Sequence, residues 1–517
     1  MGPAVVSRKD LARALKDVVG GRVSQVPADR RAYARDLWPR TILALRDGET
    51  APYPPDLIVW PETTDEVAAI IKLAAQRRIP VTPFGAGSGV CGGAAPTRGG
   101  IVLDLKRMSR AVSIDADALE ATFECGILGD HLEHELARRG LTLGHFPSSI
   151  MCSTLGGWLA ARSAGQLSTK YGKIEDLALA LEVVTGAGEV CVAGREPRGA
   201  PGPDWAQLFI GSEGTLGVIT RATLRVRPAP EVRLLRGWEF PRVAVGCEAI
   251  RRLLQRGLRP AVVRLYDELD SFLHRSSSKG AGDGKSAPHA PTDLELRVEG
   301  AKKWLLRSAL AYAGPLNSAL GALLPRIGGT CLLILGFEGD RELCESEVRV
   351  AQGELERVGG KDLGEGPGLR WFDSRYKISF QQSKVFENGA FVDTMEVAAT
   401  WDRVLDLYAA VRAAVARNAL VMAHFSHAYP EGCSIYFTFV SAGRDRADAE
   451  RRYDAIWRAG MTATLAAGGV LSHHHGIGMS KQKYLPEELG AGMDLLRALK
   501  QALDPAGILN PGKLGLP

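Results

Sequence analysis

Three segments of small residues, each able to bring bare backbone up to a ligand, constrain the fold of this chain more than any other feature. The first, Pro83-Phe84-Gly85-Ala86-Gly87-Ser88-Gly89, follows directly on an extended run, Ile79-Pro80-Val81-Thr82. Glycines at alternate positions let successive N–H groups turn inward as a nest for an anion such as a pyrophosphate. Taken alone, the same residues would serve equally as a plain glycine-rich turn. They are not a P-loop, because no Gly-Lys-Ser/Thr follows, and Val90 stands where a Rossmann loop has its last glycine. The second segment supplies Ser148, Ser149, Ser153, Thr154 and Gly157, then Ala161, Arg162, Ser163 and Ala164; the third supplies Glu213, Gly214, Thr215, Leu216, Gly217, Val218 and Ile219. Hydroxyls and unobstructed amides spread over three segments suit a dinucleotide held along its length.

The first segment lies in an α/β setting. Asp56 to Pro61 reads as a short strand, and Thr63 or Thr64 caps a helix whose apolar positions Val67, Ile70, Ile71 and Ala74 recur at helical spacing. Ile101 to Leu105 is the next strand.

A second concentration lies near the C-terminus. Ser472-His473-His474-His475-Gly476-Ile477-Gly478 holds three of the chain's ten histidines. On a strand, His473 and His475 would face one way and His474 the other, a better arrangement for hydrogen bonding to a cofactor or substrate than for chelation. A structural or surface triplet is the alternative.

Composition excludes several classes. Sixty-four Lys+Arg against 59 Asp+Glu give a net charge of +5 with no dominant basic block, so nucleic acid is not expected as a partner. The eight cysteines show no C-x-x-C spacing, which argues against a zinc site or a disulfide framework and for a reducing, cytoplasmic setting. The N-terminus has no apolar signal region, and no run of 18 apolar residues spans a membrane.

The order of Pro83 to Gly89, Thr154-Leu155-Gly156-Gly157, Tyr171-Gly172-Lys173-Ile174-Glu175-Asp176 and Gly211 to Gly217 resembles the FAD-binding fold of the vanillyl-alcohol-oxidase (PCMH) type. Leu503-Asp504-Pro505-Ala506-Gly507-Ile508-Leu509-Asn510-Pro511-Gly512 resembles its C-terminal return. The resemblance implies an α+β protein in which an antiparallel-sheet cap domain is inserted into a split FAD-binding domain. It places a helical extension at 1–50, the FAD domain at 51–230, the cap at 231–455 and the return at 456–517. Some members attach FAD through a histidine in the first glycine loop; this loop has none, so noncovalent FAD is expected.

Within that fold, Gly144-His145, Val263-Arg264-Leu265-Tyr266-Asp267, Gly336-Phe337-Glu338-Gly339-Asp340-Arg341, Ser434-Ile435-Tyr436-Phe437-Thr438-Phe439 and the histidine triplet are similar to the alkyldihydroxyacetonephosphate synthases of ether-lipid synthesis. D-lactate-type relatives usually carry a single histidine in the last motif. The resemblance implies Arg264 as the substrate-phosphate arginine, Tyr436 as the acid/base tyrosine, and His473, His474, His475 and His145 as residues needed for activity. It implies exchange of the acyl chain of acyl-dihydroxyacetone phosphate for a fatty alcohol, with a flavin that undergoes no net redox. A D-2-hydroxy-acid dehydrogenase or oxidase, with Arg264 on a carboxylate, is the alternative.

The residues themselves leave choices open. Arg264 lies in an apolar strand and needs an anion, either a ligand or Asp267 or Glu268. Tyr436 in a β-rich run is either a packed core tyrosine or a proton carrier whose pKa, ordinarily about 10, must be managed by neighbours. His424 and His427 either line a pocket or serve as scaffold. One position departs from the family: counting back from Glu396-Val397-Ala398-Ala399-Thr400-Trp401-Asp402-Arg403 puts Gln382 where the synthases have a second arginine, with Arg375, Lys377 and Lys384 as replacements. Lipid-derived substrates are the expected partners. The apolar, basic-edged segment 301–327 is read either as a peripheral membrane contact, on the inner face of the membrane, or as a helix pair buried in the cap. A homodimer is left open.

Overall fold

The computed structural model describes residues 8–50, 52–194, 202–279, 310, 312–324, 329–377 and 382–517. The chain divides into two compact units, Met1–Ala229 with Leu471–Pro517, and Pro230–Val470.

The first unit opens with β1 (Val23–Ser24), β2 (Leu57–Val59), β3 (Val81–Phe84) and β4 (Ile101–Asp104), arranged β1-β2-β4-β3 with β2 and β3 parallel to β4. Every residue of β2 and β4 is buried, as in a parallel sheet covered on both faces. Helix Thr64–Arg77 starts where Thr63 accepts from the Glu66 amide, and it buries Val67, Ile70, Ile71 and Ala74 as the spacing foretold. Helix Arg8–Val19 sends Leu11, Leu15 and Val19 into the same core, while β1 pairs with β2. Residues 8–50 are therefore built into this unit rather than appended to it.

The outer flank of β3 receives the C-terminal segment. The Val81 amide donates to the Ile508 carbonyl (2.8 Å) and the Asn510 amide donates to the Val81 carbonyl (2.8 Å). The remaining strands are β5 (Ala111–Asp115), β6 (Glu120–Glu124), β7 (Leu141–Thr142), β8 (Ala178–Val184), β9 (Val190–Ala193), β10 (Val218–Arg225) and β11 (Arg227–Pro228). Five form an antiparallel sheet in the order β5-β6-β10-β8-β9, and β7 pairs separately with β11.

The second unit is built on β12 (Val232–Phe240), β13 (Val262–Tyr266), β14 (Cys331–Gly339), β15 (Lys361–Asp362), β16 (Phe391–Thr400), β17 (Leu420–Ala428) and β18 (Gly432–Ser441). These make one antiparallel sheet in the order β15-β12-β14-β13-β17-β18-β16. Helix Arg446–Ala466 lies against it: Tyr453 Oη and Trp457 Nε1 both donate to the Asp393 carboxylate (2.5 and 3.1 Å). Gly460 lets this helix approach, since a Cβ there would meet Met395 Sδ at 2.4 Å. The helix thus packs onto the sheet as part of the second unit, which runs on to Val470, whose amide donates to the Ala398 carbonyl (2.9 Å). The expected division at 455/456 cuts through this helix.

Of the segment 301–327, residues 310 and 312–324 are described and the rest lie outside the described residues. Helix Ala313–Leu323 is fixed to the second unit by Asn317, whose Nδ2 donates to the carbonyls of Ala416 (3.0 Å) and Ala419 (2.8 Å). Among the described residues no helix is long and apolar enough to cross a membrane. No disulfide joins any of the eight cysteines.

Candidate active site

Strand register in the second unit assembles a polar face. Residues directly opposite one another in an antiparallel sheet share a face, and Tyr266 pairs with His424, His424 with Tyr436, and Tyr436 with Glu396. One row therefore carries Tyr266, His424, Tyr436 and Glu396 across four strands. The adjacent row, two residues along, carries Arg264, Ser426, Ser434 and Ala398. The opposite face takes Leu265, Phe425, Phe437 and Met395, all buried, with Tyr408 of helix Val404–Val415 stacked on Phe437.

On the polar face, Arg264 Nη2 lies 2.6 Å from His424 Nε2. Arginine has no acceptor atom, so it donates and the imidazole accepts. Arg264 Nε is buried without a hydrogen-bond partner, as is the hydroxyl of Ser434 in the same row. No carboxylate lies within ion-pair distance of the guanidinium among the described residues, so the alternative of a salt bridge to Asp267 or Glu268 is not what the structure contains. Asp267 is occupied elsewhere, accepting from the amides of Asp270 (2.8 Å) and Ala423 (3.0 Å) and from Tyr408 Oη (3.2 Å).

The Tyr436 ring stacks on His424, with centroids 4.8 Å apart and planes 20° apart. Burial pushes its phenol up to about 12, against a hydrogen bond with Thr394 and the Arg264 charge, which pull it down. Burial holds His424 well below the usual histidine range, reinforced by the Arg264 charge. Asp270, 3.5 Å from His424 Nδ1, is raised to about 6 by burial. His274 of helix Glu268–Lys279 packs on Tyr266 at 5.1 Å and is lowered mainly by burial; the charges of Arg264 and Arg370 both reach it.

In the first unit the three small-residue segments converge. A Cβ on Gly85 would meet Thr154 Oγ1 at 2.2 Å, one on Gly214 would meet Pro83 Cγ at 3.0 Å, and Gly87 has φ +67°. Asn510 Nδ2 donates to the carbonyls of Gly93 (2.9 Å) and Glu213 (2.7 Å), joining the return to the first and third segments. The histidine triplet is a loop rather than a strand, so its side chains do not alternate between faces. The ring of His474 contacts both neighbours, at 5.3 Å from His473 and 4.5 Å from His475. The loop is tied to the third segment: Glu213 accepts from the amides of Ile477 (2.5 Å) and Gly478 (2.9 Å). Gly476, at φ +80°, is required because a Cβ there would meet Glu213 Oε1 at 2.6 Å.

Two family models match the chain. Residues 55–194 match the FAD binding domain family, and residues 229–514 match the family of FAD linked oxidases, C-terminal domain. The chain is 32% identical over 495 residues to alkyldihydroxyacetonephosphate synthase of Trypanosoma brucei brucei, covering 93% of this chain and 75% of that protein. The Dictyostelium discoideum enzyme of the same name is 29% identical over 490 residues, 92% and 75%. A solved alkyldihydroxyacetonephosphate synthase superposes with a TM-score of 0.75 at 26% identity, over 99% of this chain and 86% of the other. The chain is an alkyldihydroxyacetonephosphate synthase-like member of the FAD-linked oxidase family. Its fold is also that of p-cresol methylhydroxylase, with a TM-score of 0.73 at 18% identity over 100% of this chain and 98% of the other.

FAD is the cofactor of this synthase-like flavoprotein, and the converging backbone around Gly85, Gly87 and Gly214 fits it. The expected cofactor residues divide by what their side chains do. Phe84, Thr215, Leu216, Val218 and Ile219 are buried in the unit, so only their backbone would be open to a ligand. Ser153 is also spent internally, donating to the Ser149 carbonyl (2.8 Å) and accepting from Trp158 Nε1 (2.7 Å). Arg162 is held by Glu175 (3.3 Å) and Gln207 (3.1 Å).

His145 is fully buried, with Nε2 3.3 Å from Ser163 Oγ and its ring against Trp158, and burial drives its pKa down to about 3. A histidine so enclosed is a neutral imidazole at ordinary pH, and its contact with Ser163 sets it beside the second small-residue segment. Gln382 opens helix Gln382–Glu387, and its side chain lies outside the described residues, as does that of Lys384. Arg375 stacks on Phe372 (3.5 Å) and Tyr376 (4.4 Å) and donates to the Phe372 carbonyl. His427 sits at φ +51° in the bulge of β17, out of the regular alternation that His424 keeps. Sequence reasoning passed over Asp270 and His274, although Arg264 and Tyr266 at strand spacing already marked a polar face there.

Proposed function

We propose that the protein is an FAD-dependent transferase that exchanges the acyl chain of acyl-dihydroxyacetone phosphate for a fatty alcohol, giving an ether lipid precursor and a free fatty acid. The observation that carries this reading is Arg264, whose guanidinium is oriented by a neutral histidine and has no carboxylate within ion-pair distance among the described residues, on one face with Tyr436. Such a cation suits the phosphate of the headgroup. FAD, held by the backbone around Gly85, Gly87 and Gly214, would supply the nucleophilic ring for the exchange. Tyr436, protonated at neutral pH, donates a hydrogen bond or proton to an oxygen of the substrate. The histidine loop, with rings in mutual contact, carries the proton released by the alcohol.

The test supplies purified flavoprotein with acyl-dihydroxyacetone phosphate and a fatty alcohol in the absence of any electron acceptor. Ether formation is expected. Bleaching of the flavin by D-2-hydroxy acids, without ether product, would instead establish the dehydrogenase reading that relatives such as glycolate oxidase subunit GlcD of Bacillus subtilis, 28% identical over 466 residues, keep in view.

Peripheral membrane association belongs to the same proposal. Tyr312 (73% exposed) and Leu323 (50% exposed) bracket helix Ala313–Leu323, which Asn317 anchors from its other side. Replacing both by serine is expected to reduce sedimentation with liposomes while leaving the flavin spectrum unchanged. Light scattering on the eluting protein tests the homodimer.

A further inference from the structure

Arg264 raises a question that the proposed reaction leaves unanswered, namely why its orienting partner is a histidine. A buried guanidinium is most often steered by a carboxylate, which also cancels its charge. Here the contact is Arg264 Nη2 to His424 Nε2 at 2.6 Å. Since arginine only donates, His424 Nε2 holds the lone pair and the ring proton resides on Nδ1, which faces Asp270 Oδ2 at 3.5 Å. The imidazole is buried and packed from both sides, stacked on Tyr436 at 4.8 Å and set against Tyr266 at 5.7 Å. Its register between Tyr266 on β13 and Tyr436 on β18 is fixed by backbone pairing.

We infer that His424, held in one tautomer beside Asp270, is the positioning residue that presents Arg264 to an anionic ligand, with no carboxylate in direct contact with the guanidinium among the described residues. A neutral acceptor fixes one arm of the fork. The carboxylate that stabilises the arrangement stands one residue further back, behind the imidazole. Of the other guanidinium donors, Nε–H is buried with no protein acceptor, and a ligand oxygen there would satisfy it. Asp270, His274, Tyr266, Tyr436 and Arg370 are the charged or titratable neighbours of this group, and burial favours the uncharged forms of His424, His274, Tyr266 and Tyr436. Asp270, raised to about 6 by burial and drawn down by the Arg264 charge, is the one carboxylate of this group, and it faces the imidazole rather than the guanidinium, so the fork itself is open to a dianionic phosphate ester. The inference rests on the proposed role of Arg264 and adds the residue that sets its direction and its charge.

The test compares three variants of the FAD-loaded protein, His424→Gln, His424→Leu and His424→Glu. Binding of dihydroxyacetone phosphate is measured by calorimetry, with uncharged dihydroxyacetone as the control and flavin content and melting temperature recorded for each. Glutamine keeps a neutral acceptor and is expected to bind dihydroxyacetone phosphate within about threefold of the parent, whereas leucine removes the acceptor and weakens binding by about tenfold or more. Glutamate keeps the orientation and cancels the charge, so it is expected to lose the phosphate ligand at least as severely as leucine. Dihydroxyacetone should be indifferent to all three. Arg264→Ala run in parallel separates the two levels of the argument. If Arg264→Ala loses the phosphate ligand and His424→Leu does not, the inference about His424 falls and the role of Arg264 stands. If Arg264→Ala binds normally, both fall. A glutamine variant as impaired as leucine at full flavin content and unchanged melting temperature also overturns it.

Discussion

At the scale of single residues, burial fixes protonation states before any substrate arrives. Tyr436 is held neutral up to about 12, His145 is neutral down to about 3, and His424 stays neutral through the ordinary histidine range. None of the three changes charge between about pH 7 and 10. Tyr436→Phe is therefore expected to lower turnover by ~10²-fold or more without moving either limb of the pH–rate profile. A basic limb present in the parent and absent in the variant would contradict this assignment. Flavin content should be unaffected, because the phenylalanine ring keeps the stack on His424. Glu213 works through other residues: its two oxygens hold the amides of Ile477 and Gly478 just past the histidine triplet. Glu213→Gln leaves only one oxygen for that task, at a cost of ~1–3 kcal/mol to the local order of the loop. Hydrogen exchange at those two amides should speed up, and unchanged exchange would show that the loop is held by something else.

At the scale of elements, one buried carboxylate joins three pieces of the cap. Asp267 accepts from the Asp270 amide in the first turn of helix Glu268–Lys279, from the Ala423 amide on β17, and from Tyr408 of helix Val404–Val415. That junction supports the strand and helix carrying Arg264, His424 and Asp270. Asp267→Ala removes a helix-start acceptor and leaves a buried amide and hydroxyl unsatisfied, so a loss of ~2–4 kcal/mol is expected in denaturant titrations. The same carboxylate has a pH signature. Burial raises it to about 7 despite the opposing Arg412 charge, above the ordinary aspartate value of about 3.9. A raised folded pKa means that the contribution of this group is fully present below pH ~4 and is lost as pH rises through ~7. Asp267→Asn should therefore flatten that part of the stability profile, and an unchanged slope between about pH 4 and 7 would contradict it.

At the scale of the whole molecule, FAD binding gathers segments far apart in sequence, since Pro83, Thr154, Glu213 and Asn510 meet within one unit. FAD should accordingly co-purify, and adding it to stripped protein should raise the melting temperature in proportion to the logarithm of its concentration. With no histidine from Phe84 to Gly93, acid or heat should release it completely; flavin left on the denatured chain would establish a covalent link. The glycine segments and the helix after Thr63 were legible in the sequence because they follow local rules: absence of a side chain, a cap three residues before its partner, apolar residues at helical spacing. Strand period likewise put Arg264 and Tyr266 on one face. Register between strands is set by long-range pairing and is invisible locally, so only the tertiary structure put His424 between Tyr266 and Tyr436. Protonation follows the same divide, because burial is a property of the packed fold; it made Tyr436 a phenol with its proton held and His145 a neutral imidazole. The triplet was conspicuous as a motif, but its loop is held by Glu213, 264 positions before Ile477, which no local pattern could supply.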